Sequence, residues 1–173
     1  MNSGCIDATS GHFEWDRWLA EHGPKFLLFA RQQTRFEVDA QDLVQEAVVE
    51  CWRRQAIGAP PAAGLVFATI RRRAIDLGRS QDRRAGREAA AALESPSVDW
   101  FDCGLEERER DQLIQKAMSG LPDIYREVLT LKVWGELTFA EIAEILQIPV
   151  NTAASRYRYG LGELRKLTKQ ILL

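Results

Sequence analysis

The sequence contains few cysteines and no long apolar run. Its three cysteines, Cys5, Cys51 and Cys103, are widely separated and form no CxxC spacing, so the sequence predicts neither a disulfide framework nor a zinc site. The apolar runs span only a few residues, far short of the roughly 20 that a membrane helix needs. The first residues lack the basic start and apolar core of a secretion signal. These absences favour a reduced, cytoplasmic protein with no membrane partner.

Convincing strand patterns are also absent, and nearly the whole sequence has the periodicity of helices. Hydrophobic residues make up 46% of the chain, which is enough for a packed core and argues against wholesale disorder. Gly23 and Pro24 are expected to break a helical segment into two, and Asp39 is the expected N-cap of the next helix. The helices expected in the first half therefore cover residues 13–23, 24–35, 40–55 and 63–80.

The helix expected at 40–55 has two contrasting faces. Leu43, Ala47 and Cys51 form an apolar stripe that we expect to be buried, with Trp52 alongside it. The opposite face carries carboxylates and amides, for which solvation, a protein-partner surface, a metal site or acid–base catalysis are all conceivable. No histidine lies nearby in sequence and no glycine-rich loop accompanies this face. Its polar residues are Asp39, Asp42, Gln45, Glu46 and Glu50.

Residues 137–164, LTFAEIAEILQIPVNTAASRYRYGLGEL, have the pattern of a helix-turn-helix. Thr138 followed three residues later by Glu141 is a capping box that starts the first helix. Residues 148–150 form the turn, and Asn151 is the expected cap of the second helix. The second helix of such a motif lies in the DNA major groove, and its first turns reach the base edges. The segment therefore predicts a DNA-binding function.

Two basic segments stand out in a chain whose formal net charge is −2. Residues 61–90 contain seven bases against three acids, and residues 150–173 contain five bases against one. A locally basic footprint suffices for nucleic-acid binding, because salt screens charges beyond about 8 Å. In the second segment, Tyr157 or Leu161 is expected to face the core, and an ordinary solvated helix is the alternative interpretation. The candidate DNA contacts there are Thr152, Ser155, Arg156, Arg158 and Tyr159.

The first basic segment contains the run Arg71, Arg72 and Arg73, followed by Asp76 and Arg79. Three successive arginines spread over about 200° of a helix surface, so they cannot all be buried. Two interpretations stay open from the sequence. The arginines form a solvated or salt-bridged face, or they form a cationic track for a nucleic-acid backbone.

These segments follow one another in an order that resembles a known family. The stretches are VDAQDLVQEAVVECWRR, RRRAIDLGR and LPDIYREVLTLKVWGELTFAEIAEILQIPVNTAASRYRYGLGELRKL. Their order and separation resemble those of the extracytoplasmic-function (ECF) sigma factors of bacterial RNA polymerase. The resemblance implies an all-α fold of two small helical domains joined by a flexible linker, the C-terminal one a winged-helix-like four-helix domain with the helix-turn-helix. The implied segments are sigma region 2 at 10–85, the linker at 86–108 and sigma region 4 at 109–173.

By this resemblance the chain would be a promoter-specificity subunit and not an enzyme. Its implied partners are core RNA polymerase, bound through the coiled coil of the large catalytic subunit, promoter DNA and an anti-sigma factor. No cofactor, metal or small-molecule substrate is implied. The implied polymerase contacts are Asp39, Asp42, Leu43, Gln45 and Glu46. The implied contacts to the −10 element are Arg71, Arg72, Arg73, Asp76 and Arg79, and those to the −35 element are Thr152, Ser155, Arg156, Arg158 and Tyr159.

Two other classes of function compete with this one. A free-standing helix-turn-helix regulator would bind DNA without polymerase, but it would need neither the polar face of the helix at 40–55 nor the arginine helix. An enzyme would use the carboxylates of that face, but no nucleophile or metal-ligand pattern accompanies them.

Overall fold

All regular structure in the computed structural model is helical within the residues it describes, which are 8–54, 59–85 and 108–171, with side chains for 14–54, 59–80 and 112–171. This confirms the predicted all-α class. Most of the linker expected at 86–108 lies outside the described residues, as do Cys5 and Cys103. The helices of the described ranges are α1 Ala8–Arg31, α2 Glu37–Arg54, α3 Ala63–Ala85, α4 Arg108–Ser119, α5 Asp123–Val133, α6 Phe139–Leu146 and α7 Val150–Ile171.

The first helix does not break at Gly23 and Pro24, so the expectation of two helices there is wrong. Helix α1 runs through Pro24, although an internal proline removes a hydrogen bond and costs about 3 kcal/mol. An aromatic row on one face spans the proline. The ring centroids of Trp18 and His22 are 5.3 Å apart, and those of His22 and Phe26 are 5.9 Å apart. We infer that this packing keeps the helix continuous.

Helix α2 begins at Glu37, two residues before the N-cap expected at Asp39. Glu37 accepts hydrogen bonds from Arg31 at 2.8 Å and from Gln41 at 3.0 Å. Its carboxylate thus ties the end of α1 to the start of α2. Glu37 and Asp39 both lie in the first turn, where negative charge stabilises a helix through the exposed N–H groups. The pKa of Glu37 is lowered, chiefly by the hydrogen bond from Arg31.

Other helix ends differ from expectation by smaller amounts. Helix α3 continues to Ala85 instead of ending near Ser80. Helix α7 begins at Val150, before the cap expected at Asn151, because the N–H of Thr152 already donates to the carbonyl of Pro149 at 2.9 Å. Helix α5 begins directly after Pro122, which is its N-cap residue.

One apolar core connects the two halves of the protein. In the first half, the ring of Phe67 meets the edges of Phe26 and Phe29, with centroids 4.9 and 5.5 Å apart. The same cluster of buried residues continues into the second half, where it includes Leu131 and Ile142. Helix α3 packs against α6, and α1 packs against α5. The two segments that the sequence predicts as separate domains are therefore in direct contact.

A smaller cluster completes the second half. Met118, Leu121 and Leu129 are buried together, and Leu164 and Leu167 of α7 pack against them. Within the described ranges, no helix combines the length and apolar character needed to cross a membrane.

Candidate nucleic-acid and protein interfaces

The start of α6 carries the capping box that the sequence predicted. The Oγ1 of Thr138 accepts a hydrogen bond from the N–H of Glu141 at 3.3 Å, and the N–H of Thr138 donates to Oε2 of Glu141 at 2.7 Å. The pKa of Glu141 is lowered by two hydrogen bonds from Thr138 to its carboxylate, first that from the backbone N–H and then that from the side-chain hydroxyl. The two bonds of the capping box satisfy backbone N–H groups that a helix start otherwise leaves free. The beginning of the helix-turn-helix is thereby well defined.

The turn between α6 and α7 is short because α6 ends abruptly. Gln147 adopts a left-handed conformation with φ of 55°, which stops the helix. The N–H of Ile148 donates to the carbonyl of Ala143 at 3.0 Å. Pro149 follows and directly precedes the first residue of α7. The second helix therefore leaves the turn at a fixed angle to the first.

The inner face of α7 is set by small and aromatic residues. Ala153 is fully buried, and the ring of Tyr157 packs edge-on against Phe139 with centroids 5.6 Å apart. Tyr157 is therefore the residue that faces the core. Leu161, the other candidate, is 41% exposed.

The residues of α7 that the sequence predicts to contact DNA are exposed or partly exposed. Arg158 and Tyr159 are exposed, and the Arg158 guanidinium lies 5.2 Å from the centre of the Tyr159 ring. Thr152, Ser155 and Arg156 are partly exposed. Among the residues whose side chains are described, neither Arg156 nor Arg158 forms an ion pair with a carboxylate. This face has donors available for a nucleic acid.

The arginine run of α3 is paired with carboxylates. Nε of Arg71 donates to Oε1 of Glu127 on α5 at 3.1 Å. Arg72 and Arg73 both donate to Glu50 on α2, and Arg73 also donates to Glu46. Of the two interpretations left open by the sequence, the salt-bridged face describes this arrangement.

Glu50 is the centre of this ion-pair network. Its side chain is 18% exposed and accepts from Arg72, Arg73 and also Arg54, the last at 2.7 Å. The hydrogen bond from Arg72 is the main cause that lowers the pKa of Glu50, and the bond from Arg73 adds to it. Farther along α3, Asp76 and Arg79 are exposed and lie 3.8 Å apart. Such a surface pair contributes little free energy.

The polar face of α2 is on the surface, but one predicted contact residue is not. Asp42, Gln45 and Glu46 are exposed and Asp39 is partly exposed. Leu43 is 5% exposed and belongs to the core, so its assignment as a surface contact is corrected. Leu43 lies on the buried stripe of α2, whereas the acidic side chains next to it are on the surface.

Three apolar residues of α2 complete this face, and none of them was predicted to lie on it. Val38, Val49 and Trp52 are 67%, 40% and 52% exposed. Trp52 was expected beside the buried stripe, and that expectation is wrong. Positions 38, 45, 49 and 52 lie on one side of a helix because of their spacing. This spacing is a signal in the sequence from which the apolar part of the face could have been predicted. A shallow cleft lined by Glu46, Val49, Glu50, Arg53, Arg54 and Arg73 adjoins them.

The described part of the chain holds no group of three or more histidine, cysteine, aspartate or glutamate residues placed to bind a metal ion. The buried thiol of Cys51 instead lies 3.3 Å from Oγ1 of Thr69.

The chain is similar to several known proteins. A family model described as Sigma-70, region 4, matches residues 111–164. The ECF RNA polymerase sigma factor SigK of Mycobacterium ulcerans is 31% identical over 134 residues, which cover 73% of this chain and 70% of the relative. The RNA polymerase sigma factor SigV of Bacillus subtilis is 26% identical over 157 residues, covering 89% of this chain and 91% of the relative.

A solved structure has a similar fold. It is the sigma factor RpoE of Bartonella quintana in complex with the anti-sigma factor NepR. The TM-score is 0.69 with 20% sequence identity, and the match covers 90% of this chain and 96% of that one.

Proposed function

The chain belongs to the ECF sigma factors of RNA polymerase, and from that membership we propose how its surfaces direct promoter-specific transcription initiation. A sigma factor recognises the −10 and −35 promoter elements as a subunit of polymerase. The single observation that carries the assignment of surfaces is the capped helix-turn-helix with its unpaired arginine face. We propose that the chain performs no chemistry itself and that it acts in the cytoplasm, where polymerase and DNA are found.

We propose that α7 reads the −35 element. Its first turns carry Arg156 and Arg158, which can donate two hydrogen bonds to a guanine edge. Thr152 and Ser155 are suited to bases or phosphates. The buried small residue Ala153 lets the helix sit close against α6, so that the outward face projects from the domain.

We propose that α3 binds the −10 element through its basic side. Arg71, Arg72 and Arg73 supply positive charge for a nucleic-acid backbone, and the exposed Arg79 extends that charge along the helix. A single strand held by such a groove binds with strong salt dependence. These arginines must exchange their carboxylate partners for phosphates when DNA binds.

We propose that the outward face of α2 binds core polymerase. The face combines the acidic and amide groups of Asp42, Gln45 and Glu46 with the apolar surface of Val49 and Trp52. Exposed tryptophan next to charge is typical of residues that dominate the binding energy of an interface. Trp52 is therefore proposed as a polymerase contact in addition to the residues assigned from the sequence.

An anti-sigma factor is a further proposed partner. The similar RpoE structure is a complex of a sigma factor with an anti-sigma factor. A protein that contacted both α2 and α7 would block polymerase and DNA together. We propose regulation of this kind for the present chain.

The test is transcription in vitro. The purified protein is mixed with bacterial core polymerase and a pool of genomic promoter fragments, and the initiated transcripts are sequenced. Initiation that requires the protein is the expected result, and it also identifies the promoter. Binding to DNA alone without initiation would favour a free-standing regulator.

The polymerase surface is tested separately with Asp42→Lys. This change should weaken binding to core polymerase by roughly tenfold or more, as a reversed charge at an interface commonly does. The matched control is Glu144→Lys, the same kind of reversal at an exposed position of α6. Equal losses for the two variants would remove the α2 face from the proposal.

A further inference from the structure

We propose that Asn151, the second residue of α7, reads an adenine of the −35 element through its side-chain amide. The inference rests on the proposed function, because it needs α7 to lie in the major groove. The sequence predicted a different role for Asn151, that of the N-cap of α7. The hydrogen bonds at the helix start, the exposure of the residue and the chemistry of its amide support a base contact instead.

The start of α7 is closed without the Asn151 side chain. The carbonyl of Pro149 accepts hydrogen bonds from the N–H groups of Thr152 and Ala153 at 2.9 and 3.1 Å. The carbonyl that accepts the first bond of a helix belongs to the N-cap residue, so Pro149 has that position and Asn151 lies inside the first turn. A capping Asn151 side chain would instead accept from the N–H of Ala153 or Ala154.

The amide of Asn151 is available to a ligand. Within the part of the chain that the structure describes, this side chain forms no hydrogen bond with another protein group, and the residue is exposed. It shares one face of α7 with Ser155 and Arg158, because residues four and seven positions apart lie on the same side of a helix. Asn151 therefore extends the candidate DNA contacts to the N-terminal end of α7, which is the end that reaches the base edges.

The first turn of α7 also suits DNA in its charge. It carries no acidic residue. A carboxylate in a first turn stabilises a helix, but at this place it would repel the phosphates of DNA. Asparagine is a poor residue for the body of a helix, so neither capping nor helix propensity accounts for Asn151. Contact with DNA through a neutral amide does.

The amide of asparagine matches one base in particular. It offers a carbonyl acceptor beside an NH₂ donor. In the major groove adenine presents an acceptor at N7 beside a donor at N6, so the two groups can form two hydrogen bonds. Guanine presents two acceptors there, one of which would face the amide carbonyl. Asn151 and Arg158 are roughly 10 Å apart along the helix axis, so they can contact different base pairs.

The first experiment selects DNA duplexes from a pool with a randomised −35 region. It is run with the protein alone and with the protein bound to core polymerase, and core polymerase alone gives the background. The wild type should select adenine at one position, and Asn151→Ala should lose that preference while it keeps the others. The matched control is Gln170→Ala, which removes an exposed amide at the far end of the same helix and should keep the adenine.

The second experiment identifies the atoms in contact. The selected adenine is replaced by 7-deazaadenine, which lacks the N7 acceptor. The affinity of the wild type, measured by fluorescence anisotropy, should fall severalfold, whereas Asn151→Ala should bind both duplexes equally. Asn151→Asp should prefer cytosine at this position, because its carboxylate can accept from cytosine N4. An equal fall for the wild type and Asn151→Ala would overturn the proposed contact.

Thermal unfolding separates a base contact from a capping role. Because Asn151 does not cap α7, Asn151→Ala should leave the midpoint of unfolding unchanged or raise it, since alanine has the higher helix propensity. Loss of a true N-cap would lower the midpoint. A lower midpoint together with unchanged base preferences would assign Asn151 to capping and overturn the inference.

The outcomes also separate this inference from the proposed function. Selection of adenine through Asn151 without any initiation of transcription would support the base contact and refute the proposed function. Initiation that requires the protein, with the same base preferences in the wild type and Asn151→Ala, would overturn the inference alone. If the protein selects no sequence, either alone or with core polymerase, the inference is overturned as well.

Discussion

Glu50 shows how one carboxylate can order several cationic side chains. It lies on α2 and receives Arg72 and Arg73 from α3, which joins two helices at their solvent edge. The arginines hold its pKa below the usual value. The folded state therefore binds fewer protons at Glu50 than the unfolded state, whose pKa is about 4.3. The stability that results is fully present above that pH and is lost as the pH falls through the lower folded pKa.

Glu50→Gln should reduce this pH dependence. At neutral pH the variant should lose about 1 kcal/mol of unfolding free energy, a value reduced for partial solvation of the pairs. Between pH 5 and strongly acidic conditions its stability should fall less than that of the wild type. Urea unfolding followed at several pH values measures both effects. The control is Glu144→Gln on the exposed side of α6. If the stability of Glu50→Gln depends on pH in the same way as that of the wild type, the assignment of the pH dependence to Glu50 is contradicted.

Arg156→Ala tests the DNA-facing side of α7 at a single residue. The change should lower affinity for a matched −35 duplex by about 1–3 kcal/mol if the guanidinium reads a base. It should also relax the sequence preference at one position. Fluorescence anisotropy with matched and mutated duplexes measures both quantities.

Arg165→Ala is the control for Arg156→Ala. Arg165 is exposed on the same helix but lies beyond its first turns. Removal of the Arg165 side chain should weaken binding to all duplexes about equally, since only a phosphate contact is available there. If both variants lose the same affinity for every duplex, Arg156 contacts the DNA backbone and not a base.

Helices α5 and α7 approach each other closely at one glycine. A Cβ at Gly160 would lie 3.1 Å from Cδ1 of Leu129 and 3.1 Å from Cβ of Tyr125, whereas a Cβ at Gly162 would meet nothing within 4 Å. Both glycines are inside α7, so intrinsic helix propensity favours alanine at both. The packing alone distinguishes them.

Gly160→Ala should destabilise the protein by about 1–3 kcal/mol, because α7 must move away from α5. Gly162→Ala should stabilise it by up to about 1 kcal/mol. Thermal or urea unfolding of the two variants measures the difference in sign. Stabilisation by both substitutions would show that the two helices are not packed as closely as described.

Element boundaries illustrate where local rules yield to packing. Pro24 is a strong local signal for a break, yet the aromatic row of Trp18, His22 and Phe26 continues past it. Asp39 is a good local cap, yet Arg31 at the end of the previous helix draws Glu37 into the first turn. By contrast, Thr138 and Glu141 satisfy each other within one turn. That cap was predictable because both partners are local.

At the scale of the whole molecule, the shared core predicts cooperative unfolding. Phe67 of the first half and Leu131 of the second belong to one cluster of buried residues. Because loss of either half exposes apolar surface of the other, we expect a single calorimetric transition with equal calorimetric and van't Hoff enthalpies. Leu131→Ala should lower stability by about 2–5 kcal/mol. It should also reduce hydrogen-exchange protection in α1–α3.

Two resolved transitions would contradict this expectation, as would a Leu131→Ala effect confined to α4–α7.

The helical class, the capped helix-turn-helix and the order of acidic and basic faces can all be predicted from the sequence alone. These features depend on periodicity and on partners within a turn or two, so the chain carries them locally. The exposure of Trp52 and the pairing of Arg71 with Glu127 follow instead from the packing of the folded chain. Such facts depend on how distant helices align, and the last joins residues 56 positions apart. No local pattern encodes that alignment, because it arises from apolar faces that find each other only when the whole chain packs.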